Sequence, residues 1–222
     1  MIKGLGTANR WTSFARTRAG AALGLSKHDA QQNASMTVSA LDPRTALVVI
    51  DLQKGIAALP TQIPVSEVAQ RAGALAAAFR RHGLPVVLVN VAGGAPGRTE
   101  QGRRLDGLAV DWTDLLPELN RHPEDITVTK RTWGAFAHTD LERQLKALGV
   151  TQVVIVGVAT SIGVESTARQ AYELGFHVTL VADAMTDMNA RAHANSIDAI
   201  FPRLGEIGST EEVIKLLDAT RG

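Results

Sequence analysis

From residue 46 onward, short runs of apolar, largely β-branched residues alternate with longer segments of helical periodicity. The apolar runs are ALVVI (46–50), PVVLVNV (85–91), ITVTK (126–130), VVIVGV (153–158) and HVTLVAD (177–183). Because most of them are continuously apolar, we expect a parallel sheet that is covered on both faces. Right-handed crossovers then predict an α/β fold, a Rossmann-like three-layer sandwich.

Helical patterns fill the segments between these strands. The clearest covers Val65–Arg81, where apolar residues recur at helical spacing before the stop at His82-Gly83. Further helices are predicted over residues 140–148, 162–174, 190–200 and 211–217. Residues 92–104, AGGAPGRTEQGRR, are dense in Gly and polar residues and predict a long loop, of a kind that is uncommon unless functional.

Residues 1–35 differ in composition from the rest of the chain and show no sustained period. We expect a poorly ordered N-terminal extension there and a single domain over residues 36–222. We favour a vector-derived or misassigned start for these residues, because the sequence from Met36 leads directly into the first predicted strand and looks like a natural N-terminus. An organelle transit peptide is the alternative, since the segment has five basic residues and one acidic residue: Lys3, Arg10, Arg16, Arg18, Lys27 and Asp29.

Composition excludes several classes of protein. The chain contains no cysteine, which excludes disulfides, thiolate metal sites, iron–sulfur clusters and cysteine nucleophiles. The net charge is +1, so the chain after the basic leader is slightly acidic, and it lacks the Lys/Arg stripe that nucleic acid requires. No apolar run approaches the roughly 20 residues that span a bilayer. We therefore expect a soluble, cytoplasmic protein that binds a small molecule and neither nucleic acid nor membrane.

Ligands of parallel α/β sheets bind at the carboxyl ends of the strands, and three such ends carry candidate residues. Asp51 follows ALVVI, where burial suits a carboxyl to proton transfer, although a turn or helix-capping role is as common. Lys130 ends ITVTK and is placed either to hold that carboxylate or to be solvated. The turn GVATSIG, residues 157–163, is an ordinary βα loop or an oxyanion site built from backbone N–H groups.

Taken together, VVIDLQ, TVTKRTWGAFAHTDL and VVIVGVATSIGVESTARQAYELGFHVTLVADAM resemble the isochorismatase-like hydrolases over about residues 45–217. The resemblance implies a six-stranded, mostly parallel sheet and a catalytic Asp, Lys and Cys, of which Asp51 and Lys130 match the first two. It also implies a cis peptide between Val158 and Ala159, which would aim the N–H of Ala159 into an oxyanion hole. Members of the family usually assemble as homo-oligomers, so we expect one here.

The chain departs from the amidase branch of this family at the nucleophile. Gly163 occupies the position of the catalytic Cys, and the two nearby serines of TSIGVES should not reach the same point. True isochorismatases also carry Gly there, and their hydrolysis of a vinyl ether needs a general acid and no covalent nucleophile. In that scheme Asp51 is the acid, Lys130 is its electrostatic partner, and the backbone of Ala159 and Gly163 holds substrate oxygen or water.

Further residues are candidates for substrate binding. Asn90 ends the second strand, Arg98 in the long loop is placed to bind a carboxylate or simply to be exposed, and Trp133 and Phe136 suggest pocket walls, with core packing as the alternative for Phe136. Thr160 belongs to the turn after the fourth strand. The D-x-H pair of nicotinamidase-like members is absent from NVAGGAPGR and the six histidines are scattered, so we expect no metal, no cofactor and no nicotinamidase activity.

Three functions remain open at this point. The leading one is a small-molecule hydrolase that works through Asp51 and Lys130 on a vinyl ether or a related substrate. The second is a catalytically silent member that binds a ligand or acts as a scaffold. The third is a C–N amidohydrolase whose nucleophile has been replaced by Gly163.

Overall fold

A computed structural model describes residues 37–100 and 108–221, so the predicted leader lies outside the described residues. The strands are β1 (Thr45–Ile50), β2 (Val86–Val91), β3 (Ile126–Lys130), β4 (Gln152–Val158), β5 (His177–Thr186) and β6 (Glu206–Gly208). The α-helices are α1 (Lys54–Ala57), α2 (Val65–Arg81), α3 (Leu141–Ala147), α4 (Glu165–Glu173), α5 (Ala190–Asn195) and α6 (Thr210–Arg221). None of these described helices is long and apolar enough to cross a membrane.

The six strands form one sheet in the order β3-β2-β1-β4-β5-β6, and each neighbouring pair is parallel. This confirms the predicted α/β fold with a parallel six-stranded sheet. The order reverses between β1 and β4, which is the switch point where Rossmann-like sheets bind ligands. The apolar runs alone missed β6, because its three residues, EIG, include Glu206 and Gly208 and form no apolar run.

Helices cover both faces of the sheet, as the continuously apolar strands predict. All six side chains of β1 are buried. Leu47 and Val49 face a core that contains α2 and α6, whereas Ala46, Val48 and Ile50 face a second core that contains α3 and α4. The side chains of β1 thus alternate between the two cores, and its carboxyl end lies in the middle of the sheet.

Two predicted helices begin or end as π-helical turns. Thr160–Val164 precedes α4, and the N–H of Val164 donates to Ala159 O at 3.1 Å. Ser196–Ile200 follows α5. The sequence predicts ordinary helix over residues 162–164 and 196–200 of these segments, because apolar periodicity does not distinguish a single wide turn from an α-helical one. Wide turns of this kind recur at functional sites.

Gly157 allows β4 to run close beside β1 just before the strand ends. It pairs with Ile50, and its φ is 122°, in the region that favours glycine. A Cβ added there would lie 2.1 Å from Ile50 O. The register between β4 and β5 shifts at the same place, between Ile155 and Gly157.

Replacement of Gly157 by alanine should therefore destabilise the sheet. We expect Gly157→Ala to lower the free energy of unfolding by about 3 kcal/mol or more, because backbone strain and steric overlap act together. Gly149→Ala is the control, since Gly149 has a φ of 69° but open space around an added Cβ, and it should cost about 1–2 kcal/mol. Urea unfolding measures both losses, and equal losses would contradict this account.

Candidate active site

A buried ion pair lies at the carboxyl end of the sheet. Lys130 Nζ donates to Asp51 Oδ2 at 2.8 Å, and the two side chains are 1% and 9% exposed. Lys130 Nζ also donates to Thr132 O at 3.1 Å. Because β2 lies between β1 and β3, the ammonium reaches Asp51 across the end of β2. The structure thus brings together the two strand-end residues that sequence analysis selected separately.

Asp51 leaves the strand through a left-handed backbone conformation, with a φ of 53°. Asp is among the few non-glycine residues that adopt this region readily. Its N–H still donates to Val89 O at 2.9 Å, as the sheet requires, whereas its carbonyl accepts from the N–H of Gln53 at 3.0 Å. The chain therefore turns at Asp51, and the carboxylate stays at the edge of the sheet.

Gly163 faces the Asp51 carboxylate from the turn after β4. The peptide bond between Val158 and Ala159 is cis, and the π-helical turn follows it. A Cβ added at Gly163 would lie 3.2 Å from Asp51 Oδ2 and 2.9 Å from Ile50 Cγ2. A side chain at this position would thus point at the ion pair, and glycine leaves no nucleophile there.

Ser161 is engaged elsewhere. Its N–H and its hydroxyl each donate to Asp187 Oδ2 at 2.8 Å. Asp187 is buried and also accepts from the N–H of Asn189 at 2.9 Å. These contacts anchor the π-helical turn to the segment after β5, and they direct the Ser161 hydroxyl towards Asp187.

The hydroxyl of Thr160 is paired with His193. Thr160 Oγ1 lies 2.9 Å from His193 Nδ1, and Thr160 is fully buried. Burial lowers the pKa of His193 below its ordinary value of 6.5 and so favours the neutral ring. Sequence analysis missed His193 and Asp187 as supports of the turn, because no local pattern relates residues so far apart along the chain.

Side-chain hydrogen bonds join α4 to the loop after β3. Thr167 Oγ1 donates to Gly163 O at 2.7 Å and accepts from the N–H of Ala135 at 3.1 Å. Gln170 Oε1 accepts from the N–H of Phe136 at 3.1 Å. The segment that follows Lys130 and the turn that carries Gly163 are therefore held together by buried polar contacts.

A strap, residues 111–116, crosses the ends of β1 and β2. Buried Gln53 donates through Nε2 to Val91 O (3.1 Å) and Trp112 O (2.9 Å), and its Oε1 accepts from the N–H of Val91 at 2.7 Å. Trp112 Nε1 also donates to Val91 O at 3.1 Å. A Cβ added at Gly55 would lie 2.2 Å from the indole, so Trp112 packs directly on this glycine.

The remaining candidates occupy different environments. Asn90, near the end of β2, is 8% exposed, and its Nδ2 donates to Thr113 O at 3.2 Å. Trp133 is 58% exposed in the loop after Lys130. Phe136 is buried and stacks on Phe176, with ring centroids 5.8 Å apart, which agrees with the alternative that it packs in the core. Arg98 is exposed in the loop after β2, and its contact with a substrate carboxylate stays a prediction.

Comparison with known proteins identifies the family. A family model described as the isochorismatase domain matches residues 45–212. The chain belongs to the isochorismatase family. It is a hydrolase of that family, built on the family's α/β fold. Within residues 37–100 and 108–221, no group of three or more His, Cys, Asp or Glu side chains is placed to hold a metal ion.

Relatives cover nearly the whole isochorismatase domain. YecD of Escherichia coli O157:H7, an uncharacterized isochorismatase family protein, is 43% identical over 182 residues, 78% of this chain and 96% of YecD. An isochorismatase family protein from Burkholderia thailandensis superposes with a TM-score of 0.78 at 39% identity, over 81% of this chain and 98% of that one. Ureidoacrylate amidohydrolase RutB of Pseudomonas syringae pv. syringae is 31% identical over 170 residues, 63% of this chain and 69% of RutB.

The two buried charges should also stabilise each other, and the free energy of unfolding of variants tests this. Lys130→Met leaves the Asp51 carboxylate buried beside an apolar side chain, so we expect a loss of about 3–5 kcal/mol in the free energy of unfolding. The double variant Asp51→Leu/Lys130→Met removes both charges and should recover most of that loss. Urea unfolding of the single and double variants measures the coupling. Additive losses would show that the two side chains do not stabilise each other.

Proposed function

We propose that this protein is a small-molecule hydrolase that works without a cysteine nucleophile, with Asp51 as its general acid and base. The observation that carries the proposal is the placement of Gly163 opposite Asp51 Oδ2. With no side chain at that point, the reacting groups of the site are a carboxyl, an ammonium and water. Hydrolysis of a vinyl ether, the isochorismatase reaction, requires only these groups.

The ion pair supplies the proton. Lys130 Nζ donates to Asp51 Oδ2, so the resting pair is an ammonium and a carboxylate that share one proton. Both side chains are buried, 1% and 9% exposed, so the proton that they share is held away from bulk water. Asp51 is then a proton donor within the site, and Lys130 stabilises the carboxylate after the proton has left.

The proposed reaction has three steps: protonation of the substrate, addition of water and breakdown of a hemiketal. Asp51 gives its proton to the methylene carbon of the enol ether, whose π electrons form the C–H bond, and the neighbouring carbon becomes an oxocarbenium ion. Water adds to that carbon and returns a proton to the Asp51 carboxylate. In the resulting hemiketal the new hydroxyl group loses its proton and the departing oxygen gains one as the other C–O bond breaks, which releases pyruvate and an alcohol. One water is consumed and Asp51 is restored.

The remaining predicted site residues bind the substrate or support the site in this proposal. The backbone N–H groups of Ala159 and Gly163 hold a substrate oxygen or the attacking water. Asn90 is the proposed polar contact at the end of β2, whereas Thr160, buried and paired with His193, supports the turn and does not touch the substrate. Arg98 contacts a substrate carboxylate and Trp133 a planar group, whereas Phe136 packs on Phe176 in the core and supports the loop. In this proposal the enzyme is homo-oligomeric, as the family resemblance implies, and cytoplasmic, as its composition predicts.

Asp51→Asn tests the mechanism. The amide keeps an oxygen that accepts from Lys130 but carries no transferable acidic proton, so we expect kcat on isochorismate to fall by about 10²- to 10⁴-fold. Pyruvate and ammonia are assayed separately over isochorismate, carbamoyl compounds and simple amides, and circular dichroism checks the fold. Turnover retained by Asp51→Asn would overturn the mechanism. Wild-type binding without any turnover would favour the catalytically silent alternative.

A C–N amidohydrolase lacking its nucleophile is the second candidate, and two observations favour it. RutB is an amidohydrolase relative, and a side chain at position 163 would point at Asp51. On this hypothesis Gly163→Cys places a thiol where the carboxylate activates it, so ammonia release from ureidoacrylate should appear. Gly163→Ala is the matched control, because it adds the Cβ without the thiol. Inertness of the folded Cys variant would count against this candidate.

A further inference from the structure

The hydroxyl of Thr167 bridges two segments of the site. Thr167 lies on α4, one helical turn after Gly163, and is fully buried. Its hydroxyl donates to Gly163 O at 2.7 Å, a bond between residues four apart that threonines make within helices. The same oxygen accepts from the N–H of Ala135 at 3.1 Å, and Ala135 belongs to the loop after β3. One side chain therefore ties the peptide of Gly163 to a segment that is remote along the chain.

A second residue of α4 supports the same loop. Gln170, three residues after Thr167, lies on the same side of the helix. Its Oε1 accepts from the N–H of Phe136 at 3.1 Å. Gly134 leaves the space for this amide, since a Cβ added there would lie 2.2 Å from Gln170 Oε1. Two consecutive N–H groups, those of Ala135 and Phe136, thus donate to side chains of α4, and these bonds fix the loop against the helix.

The same loop holds the ammonium of Lys130. Lys130 Nζ donates to Thr132 O at 3.1 Å. Thr132 Oγ1 in turn donates to Gly134 O at 3.0 Å, directly before Ala135. The backbone acceptor of the ammonium is therefore tied to the part of the loop that Thr167 holds.

At the other end of the bridge, Gly163 faces the ion pair. A Cβ added at Gly163 would lie 3.2 Å from Asp51 Oδ2, the oxygen that accepts from Lys130 Nζ. The loop thus reaches the ion pair through Lys130, and the turn reaches it through residue 163. Thr167 joins the two, so its hydroxyl determines how the turn lies relative to the charges.

We propose that Thr167 is a positioning residue, whose hydroxyl fixes the turn at Gly163 relative to the Asp51–Lys130 ion pair. The inference rests on the proposed function, because the proposed reaction uses that turn and that ion pair. Thr167 acts only through Gly163 and the loop after β3. A displacement of about 1 Å in a catalytic site can lower the rate about 10²-fold, so the bridge is required for the reaction as well as for the fold.

A thiol at position 163 tests the proposal, because the chain contains no cysteine and Gly163→Cys therefore carries a single one. Alkylation by iodoacetamide as a function of pH gives the pKa of that thiol. In Gly163→Cys we expect this pKa to differ from its ordinary value, because Asp51 and Lys130 act on the thiol at close range. Adding Thr167→Val keeps the shape of the side chain and removes the hydroxyl. It should return the pKa towards its ordinary value and change the alkylation rate constant at pH 7 by about threefold or more.

Two further variants serve as controls. Thr167→Ser keeps the hydroxyl and should leave the thiol pKa of Gly163→Cys unchanged. Thr220→Val removes a matching bond, since Thr220 Oγ1 donates to Leu216 O at 2.7 Å, but it lies on α6, whose core is on the other face of the sheet. It should also leave the pKa unchanged. If Gly163→Cys does not fold, Ile50→Val is added to every variant, because it relieves the contact with Ile50 Cγ2.

A second measurement keeps Gly163 in place. Thr167→Val should lower kcat on isochorismate about tenfold and leave KM within about twofold, because the hydroxyl positions the site and does not bind the substrate. Thr167→Ser should restore kcat. Urea unfolding of each variant separates these effects from a loss of stability, which Thr220→Val can also show.

Three outcomes overturn the proposal: an ordinary thiol pKa in folded Gly163→Cys, a pKa and a kcat that Thr167→Val leaves unchanged, or equal effects of Thr167→Val and Thr167→Ser. Changes confined to Thr167→Val support it. The thiol measurement needs no turnover. A failure of the Asp51 test on isochorismate therefore leaves the thiol result standing, and an unchanged thiol pKa leaves the Asp51 mechanism standing.

Discussion

The buried ion pair between Lys130 and Asp51 is the interaction on which the rest of the site depends. The two residues belong to strands that are not neighbours, so their contact draws three strand ends together across β2. Burying either charge alone is strongly unfavourable, so each side chain can stay buried and charged only because the other is present. The contacts of Gln53, the strap and the turn after β4 all lie around this pair, and they keep it in a fixed, largely dry setting.

Strand-end residues were predictable because parallel sheets place the carboxyl ends of their strands along one edge. Asp51, Lys130 and the turn at Gly163 follow directly from that rule and from the apolar runs before them. The partners that position them did not follow from it. The hydrogen bonds of His193 with Thr160 and of Gln53 with Trp112 join residues that are far apart along the chain. No periodic pattern in the sequence predicts such pairs. The same limit applies to β6 and to the π-helical turns, which are too short to establish a pattern.

The fold brings the reacting groups together but does not determine which reaction they carry out. The carboxylate, the ammonium and the turn are compatible with thiol chemistry if residue 163 carries a thiol, and with the proposed acid-driven hydrolysis where it is glycine. What the sheet supplies in either case is burial and proximity. The residue at position 163 then decides whether the group facing Asp51 is a nucleophile or an open volume.

The tight surroundings of Gly163 also bear on how such a site can evolve. An added Cβ would meet Ile50 Cγ2 at 2.9 Å, closer than side-chain carbons normally approach. Acquisition of a side chain at 163 is therefore coupled to the shape of residue 50, and the order of substitutions matters. A smaller or differently branched residue at 50 would relieve that contact and so would be a permissive change for the new side chain. Epistasis of this kind would make the effect of a side chain at 163 depend on the residue at 50, although the backbone stays the same.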